Sequence, residues 1–364
     1  MPYNGSGVFS RIYSWVTDAA NGLYVDSTRM DTDTDDIATG LSTCMLKDGT
    51  QIITNNIPMA GYKFTGVGLG SGASDTAIIS NANVLNMCEF RLTLTTGVPV
   101  TTTDVTGASA VTIYCSPYKG NRIALFDGSN WHMRTSAEFS IAIPAVTNAM
   151  YDVFCYDNAT VPTLELLAWT NATTRATALA LQDGVLSKTG ALTRRYMGSV
   201  YVGPSSGQSA DAVSGRWLWN YYNRVRRQML VTDTTNTWNY TTATIRQANN
   251  STANQLDFVV GWSEDVVTAE VNSTCFNTNV GVVVSVGVGL DSSSTFASGG
   301  LQAAVATNVA AAAINPRGFW SGYPGVGRHN LMWNEYSTAT GTTSWIGDNG
   351  GTITQSGIKG EIWG

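Results

Sequence analysis

Charge is scarce in this 364-residue sequence: Asp, Glu, Lys and Arg together make up 13%, about half the share of an ordinary globular domain. Gly, Thr, Asn, Ser and Ala fill the surface positions instead, which suits turn-rich β-structure. The net charge of −6 and the pI near 4.9 argue against a nucleic-acid partner, which would require a basic stripe. Histidine is limited to His132 and His329, and neither stands in an H-E-x-x-H or nucleophile-elbow context, so a His-based triad or metal cage has few possible members. The five cysteines, Cys44, Cys88, Cys115, Cys155 and Cys275, are widely spaced and contain no C-x-x-C pair. Neither a disulfide framework nor a zinc site is indicated, and buried free thiols are expected.

Long apolar runs are also missing. Val280 to Leu290 is interrupted by glycine, and Ala303 to Ile314 is short and carries Thr307 and Asn308, whereas a membrane span needs about 20 continuous apolar residues. Buried strands or a short packed helix fit both segments, and membrane insertion is not expected. The opening MPYNGSGVFSRIYSWVTDAANG lacks a charged region followed by an apolar one, so no secretory signal is read there and folding in a cytoplasm is expected. Without a secretory route, the Asn-x-Ser/Thr triplets at Asn158, Asn171, Asn239 and Asn272 carry no role.

What is present falls into three regions. In the first, residues 1–75, Phe9, Ile12, Tyr13, Val16 and Ala20 recur at helical spacing and Gly22 stands where a helix would end. A second helix is expected from Ser27 as N-cap, with Met30, Ile37, Leu41 and Cys44 on one face. Asp31, Asp33, Asp35 and Asp36 are read as lying toward its start, where the helix dipole favours anions. The alternation of Asp31, Asp33 and Asp35 opens like a calcium loop. The sixth and twelfth positions are Asp36 and Ser42 rather than Gly and Glu, so helix-start charge is the better account and no metal is expected. Two small helices bury little alone and read as a docking element, with Phe9, Ile12, Tyr13, Trp15, Met30, Ile37 and Leu41 as its candidate contacts. The glycine run from Gly66 to Ser74 lacks the Gly-Lys-Ser/Thr of a phosphate loop and reads as a connector.

Residues 80–232 carry short alternating or apolar runs separated by Gly, Asn, Asp and Pro, among them Glu89 to Thr95, Arg122 to Phe126, Tyr151 to Tyr156 and Tyr196 to Val202. Such spacing predicts a β-sandwich or barrel. The segment RWLWNYYNRVRRQM interleaves aromatics with Arg216, Arg224, Arg226 and Arg227, an arrangement able to clamp single-stranded nucleic acid. In an acidic chain it reads better as a strand whose rings bury while the arginines lie over neighbouring surface. Residues 233–364 are β again. Leu256, Phe258, Val260 and Trp262 alternate with polar or small residues, and strands are expected at His329 to Tyr336 and Gly357 to Trp363. Trp320, Tyr323, Trp333, Tyr336 and Trp345 are the candidate receptor contacts, since exposed rings stack on sugar faces.

The opening segment, RMDTDTDDIATGLS and DGTQIITNNIPMAGYKFTGVG resemble the N-terminal anchor of phage tail-fibre proteins. VTIYCSPYKGNRIALFDGSNW, YDVFCYD, RRYMGSVYVG and LWNYYNRVRR resemble a β module recurrent among phage virion proteins. The resemblance implies a virion component, commonly a homotrimer, attached to tail or baseplate proteins by its N-terminus. The expected fold is mainly β: a small helical anchor followed by two β-sandwich-like domains in an elongated trimer. The distal domain is then expected to bind a host-surface glycan or protein. A capsid fibre or decoration protein built from the same modules is the alternative, followed by a glycan-degrading tailspike. Catalysis is not expected. Glu264, Asp265 and Glu270 are candidate carboxylates by type alone, and no fixed repeat of a β-helix is present. No cofactor is implied.

Overall fold

A computed structural model describes residues 12–42, 85–351 and 353–364. The chain divides into two units, Met1–Ala77 and Ile78–Gly364. The fold is mainly β, with its long helix in the first unit. Phe9, Cys44 and the Gly66–Ser74 run lie outside the described residues.

In the first unit, α1 spans Trp15–Ala20 and is shorter than the apolar spacing from Phe9 suggests, because Ser14 caps it by accepting the Thr17 N–H. It ends where expected. Gly22 adopts φ +68°, its N–H reaches Ala19 O at 3.2 Å, and Leu23 N–H reaches Asp18 O at 2.9 Å, a closure that needs a left-handed residue. Helix α2 spans Ser27–Ser42. Its cap is Asp26 rather than Ser27: the Asp26 carboxylate accepts the Arg29 N–H at 2.8 Å. The aspartates at 31, 33, 35 and 36 therefore sit in the second and third turns, beyond the reach of the helix-start argument. Asp33 instead accepts the Ile12 N–H at 3.2 Å. Arg29 pairs with Asp18 at 2.7 Å and lies 4.4 Å from the Tyr13 ring centroid. These polar links join the two helices while most of their apolar side chains stay outside.

In the second unit, the strands Val161–Ala168, Ala149–Asn158, Ala191–Val202, Val185–Lys188 and Leu179–Gln182 follow one another across a sheet, and Leu218–Asn220 also pairs with Ala191–Val202. Both faces of this sheet are covered. Val153, Cys155, Val200 and Val202 pack with Phe90, Leu92 and Ile113 of the small sheet Phe90–Thr93, Thr112–Pro117 and Phe139–Ala142. Met150, Phe154, Tyr196 and Tyr201 point the other way, into a core with Leu256, Phe258 and Val260. A strand buried on both faces shows consecutive apolar residues rather than alternation, as Val153–Cys155 and Val200–Val202 do, and the buried polar residues beside them, Asp152 and Ser199, bond each other at 2.7 Å.

A twelve-stranded sheet forms the remaining layer and runs from Arg226–Thr232 through Gly357–Trp363, Val267–Asn272, Arg317–Gly322, Leu301–Ala306, Val283–Leu290, Gly327–Tyr336 and Gln255–Val260 to Gly215–Arg216, Ala210–Ala212 and Val105–Thr106, with Ile245–Gln247 also paired to Gly327–Tyr336. It curls back on itself: the Leu230 N–H reaches Val213 O at 2.8 Å, and Arg216 Nη2 reaches Gln228 O at 2.8 Å. A further small sheet, Thr237–Tyr240, Thr343–Ile346 and Thr274–Asn277, places Trp238, Cys275 and Trp345 in the same core.

The expected boundary between residues 232 and 233 falls inside this unit. Arg226–Thr232 pairs with Gly357–Trp363 over its whole length, and Gly215–Arg216 runs parallel to Gln255–Val260. The regions 80–232 and 233–364 thus share the twelve-stranded sheet and the core around Leu256 and Phe258, while the core around Phe90, Ile113 and Val153 comes from the first region alone. Gln255–Val260 departs from the expected alternation for the same reason, since Asp257 and Val259 are buried along with Leu256 and Phe258. Cys88, Cys115, Cys155 and Cys275 are buried free thiols, and burial pushes all four pKa values up.

Candidate functional site

The outward face of the twelve-stranded sheet presents one regular constellation. Along each strand the side chains alternate: Val267, Ala269 and Val271 enter the core while Thr268, Glu270 and Asn272 face out, and Trp320 enters while Arg317 and Phe319 face out. The pairing registers align these outward residues into rows. Leu230 stands opposite Lys359, Lys359 opposite Glu270, Glu270 opposite Phe319 and Phe319 opposite Leu301. This row crosses five strands and has an ion pair in its middle, with Lys359 Nζ 3.2 Å from Glu270 Oε2. Apolar side chains flank the pair on both sides. Leu301 is 71% exposed and Phe319 42%.

Three open grooves of about 460, 350 and 340 Å³ meet at Glu270. They are lined by Gln228, Thr268, Asn272, Arg317 and Glu361 in addition to the row itself. The face therefore combines exposed apolar groups with charges of both signs, an arrangement suited to contact with another surface. From sequence Glu270 is legible only as an acid, and Leu230, Phe319 and Leu301 are not singled out. Period-two alternation marks each as outward, but no single strand shows that they fall in one row.

The candidate receptor rings separate by burial. Trp320, Trp333 and Trp345 are buried, which removes them as surface contacts. Trp333 packs edge-on against Trp238 with centroids 5.9 Å apart, and the Trp320 indole donates to Ser298 O at 3.3 Å. Their positions in the strands Gly327–Tyr336, Thr343–Ile346 and Arg317–Gly322 are inward ones. Tyr336 is half-buried, and Tyr323 is 63% exposed. In the helical unit, Ile12, Met30 and Leu41 are exposed, whereas Tyr13, Trp15 and Ile37 are half-buried.

The arginines of RWLWNYYNRVRRQM are all paired. Arg216 and Arg227 both donate to Asp211, Arg224 to Glu264 and Asp265, and Arg226 to Glu361. Arg224 also lies 5.4 Å from the Trp219 ring centroid, but the segment is not one strand: it forms Gly215–Arg216, Leu218–Asn220 and Arg226–Thr232, with Arg224 between the last two. Arg216 and Arg227 are buried where both meet Asp211 rather than lying over the surface. Each of the candidate carboxylates Glu264, Asp265 and Glu270 is accordingly held by a cation. His132 Nε2 lies 2.8 Å from Asp127, and His329 Nδ1 lies 2.8 Å from Asp291. Backbone N–H groups of Asn130 and Ser129, followed by His132, hold the Asp127 carboxyl down at about 2. Among the described residues, no group of three or more His, Cys, Asp or Glu side chains is placed to hold a metal ion, and no helix is long and apolar enough to cross a membrane.

No protein-family model matches the chain, and no curated protein matches it. Among solved structures it is similar to the insecticidal delta-endotoxin Cry8Ea1 from Bacillus thuringiensis, at 6% identity and TM-score 0.23, with 72% of this chain and 51% of that one covered. The mosquito-larvicidal Cry4Aa toxin from the same organism gives 8% identity and TM-score 0.20 over 69% and 48% of the two chains. A β-porphyranase of glycoside hydrolase family 86 from Bacteroides plebeius gives 7% and 0.17 over 68% and 37%. The chain spans about half the length of the two toxins, and likenesses this distant carry no argument about fold or activity.

Proposed function

We propose that this chain is a structural protein of a phage virion, a tail-fibre type subunit that attaches through its helical unit and presents its β unit outward as a homotrimer. The observation that carries this reading is the helical unit itself. Its helices are joined by polar links, while Tyr24 is 91% exposed, Val16 80% and Leu41 61%. A segment that keeps such side chains outside is built to bury them against something else. The resemblance of the same segment to fibre anchors names the partner as a tail or baseplate protein. The outward sheet face supports self-association, because its apolar row is interrupted by one cation and one anion. Copies can therefore meet there without bringing only like charges together.

Deleting residues 1–75 and complementing a phage that lacks the gene tests the reading. The truncated protein is expected to accumulate as a soluble β-rich chain that is absent from purified particles. Incorporation at the normal copy number overturns the reading. Imaging of the intact particle then distinguishes a tail position from a capsid one.

A further inference from the structure

A second groove, of about 430 Å³, opens on the other part of the large sheet, within the size range of small-ligand sites, roughly 300–1,000 Å³. It exists because three separated stretches converge: Thr106 and Gly107, the turn and strands from Gly203 to Trp217, and Thr252 to Asp257. The parallel pairing of Gly215–Arg216 with Gln255–Val260 brings the last two together. Its lining contains no Leu, Ile, Val, Lys or Arg. It consists of one indole, small residues, hydroxyls, the amides of Gln208 and Gln255, and the carboxylate of Asp257.

Trp217 is fixed in this groove by two glycines and a tyrosine. A Cβ at Gly203 would fall 2.4 Å from its Cζ3, and one at Gly215 would fall 3.0 Å from its Nε1. The Tyr201 ring meets it edge-on, with centroids 5.1 Å apart and planes at 86°. The indole N–H leans toward the Asp257 carboxyl, whose pKa it helps to lower, without closing a normal hydrogen bond, so Nε1 is buried and unpartnered. Asp257 is itself held rigid by Arg328, with Nε to Oδ1 at 2.9 Å and Nη2 to Oδ2 at 2.6 Å. Burial pushes its pKa up against the pull of that guanidinium.

We propose that this groove binds the ring of a neutral sugar. A pyranose has an apolar C–H face that packs on an aromatic ring, and an edge of hydroxyls that both donate and accept. The groove offers the ring, hydroxyls and amides of both polarities, and a carboxylate acceptor. It offers no cation in its lining to pair with the carboxylate of a uronic or sialic acid, since the nearby Arg328 is already taken up by Asp257. The proposal rests on the reading of the chain as an outward-facing virion protein and adds the ligand class and the place.

Saturation-transfer NMR on the full chain tests it, with the methyl glycosides of glucose, galactose, rhamnose and N-acetylglucosamine and with methyl glucuronide as probes. At least one neutral glycoside is expected to receive transfer at its ring C–H protons, and the glucuronide to receive less. Trp217→Leu, Gln208→Ala and Gln255→Ala are each expected to weaken binding about tenfold or more, the equivalent of about 1.4 kcal/mol. Leu181→Ala, at an exposed side chain elsewhere, is expected to leave binding unchanged. The two glutamines are half-buried, so their substitution reports on the groove even if the Trp217 variant folds poorly. Absence of transfer to every neutral glycoside overturns the proposal, as does preference for the glucuronide or binding that survives the glutamine substitutions. Any of these results leaves particle incorporation untouched, so failure here is distinguishable from failure of the virion reading.

Discussion

The guanidinium of Arg328 lies 4.2 Å from the centroid of the Tyr201 ring while its Nε and Nη2 reach Asp257. Tyr201 belongs to the strand Ala191–Val202 and Arg328 to Gly327–Tyr336, so this contact crosses the boundary that the sequence suggests at residue 232. Arg175 makes a similar crossing. It donates to Asp152 at 2.8 Å and to the backbone carbonyl of Gly261.

If the regions share one core, residues 80–364 unfold together. Calorimetry is expected to show one cooperative transition for this span, and residues 80–232 or 233–364 expressed alone are expected not to fold. Arg328→Ala leaves the buried Asp257 carboxylate without its cation and is expected to cost about 3 kcal/mol. Two separate transitions, one of them unmoved by this substitution, contradict the shared core.

Glu335 predicts the pH dependence of stability. It is fully buried, accepts the Trp238 indole N–H at 2.9 Å and pairs with Arg246 at 2.7 Å. Burial outweighs these partners and raises its pKa from 4.5 to about 7. The folded chain therefore keeps a proton that the unfolded chain has released across that window. This contribution is fully present below the lower value and is lost as pH rises through the upper one, up to about 3 kcal/mol in total. Denaturant titrations at pH 5 and pH 8 are expected to show the fall, and Glu335→Gln to flatten it whatever its absolute stability.

On the outward sheet face, Phe319→Asp together with Leu301→Asp places two charges in the apolar part of the row. Light scattering at micromolar concentration is expected to change from trimer to monomer mass, with the circular dichroism spectrum preserved because both positions face solvent. Lys359→Ala removes only a half-exposed ion pair and is expected to change stability by less than about 1 kcal/mol. A monomeric parent chain contradicts the assignment.

Gly318 marks a close approach between strands. A Cβ there would lie 2.6 Å from Gly287 Cα and 3.0 Å from Val286 O, both backbone atoms that cannot rotate away. Gly318→Ala is expected to destabilise by about 1–3 kcal/mol, read as a lowered urea midpoint with an unchanged slope.

Thiol titration gives an independent check on burial. Of the five cysteines, Cys88, Cys115, Cys155 and Cys275 are expected to react with a water-soluble thiol reagent only after unfolding. Rapid reaction of two or more thiols in the native protein contradicts the packing.

Much of the local structure follows from the sequence alone. Gly22 ends α1 because a left-handed residue is required there, and the strands Arg122–Phe126 and Gly357–Trp363 are found within their expected limits. Local chemistry dictates such features: turn residues tolerate special dihedrals, and apolar spacing sets the strand or helix period. What the sequence does not carry is which strand lies beside which. That choice made Trp320, Trp333 and Trp345 core residues, because a large apolar ring looks the same in sequence whether it faces solvent or another sheet. It also turned residues 80–364 into one unit, aligned Leu230, Lys359, Glu270, Phe319 and Leu301 in a single row, and closed the Trp217 groove from three distant stretches. Such pairings depend on long-range burial of whole faces, which no window of neighbouring residues contains.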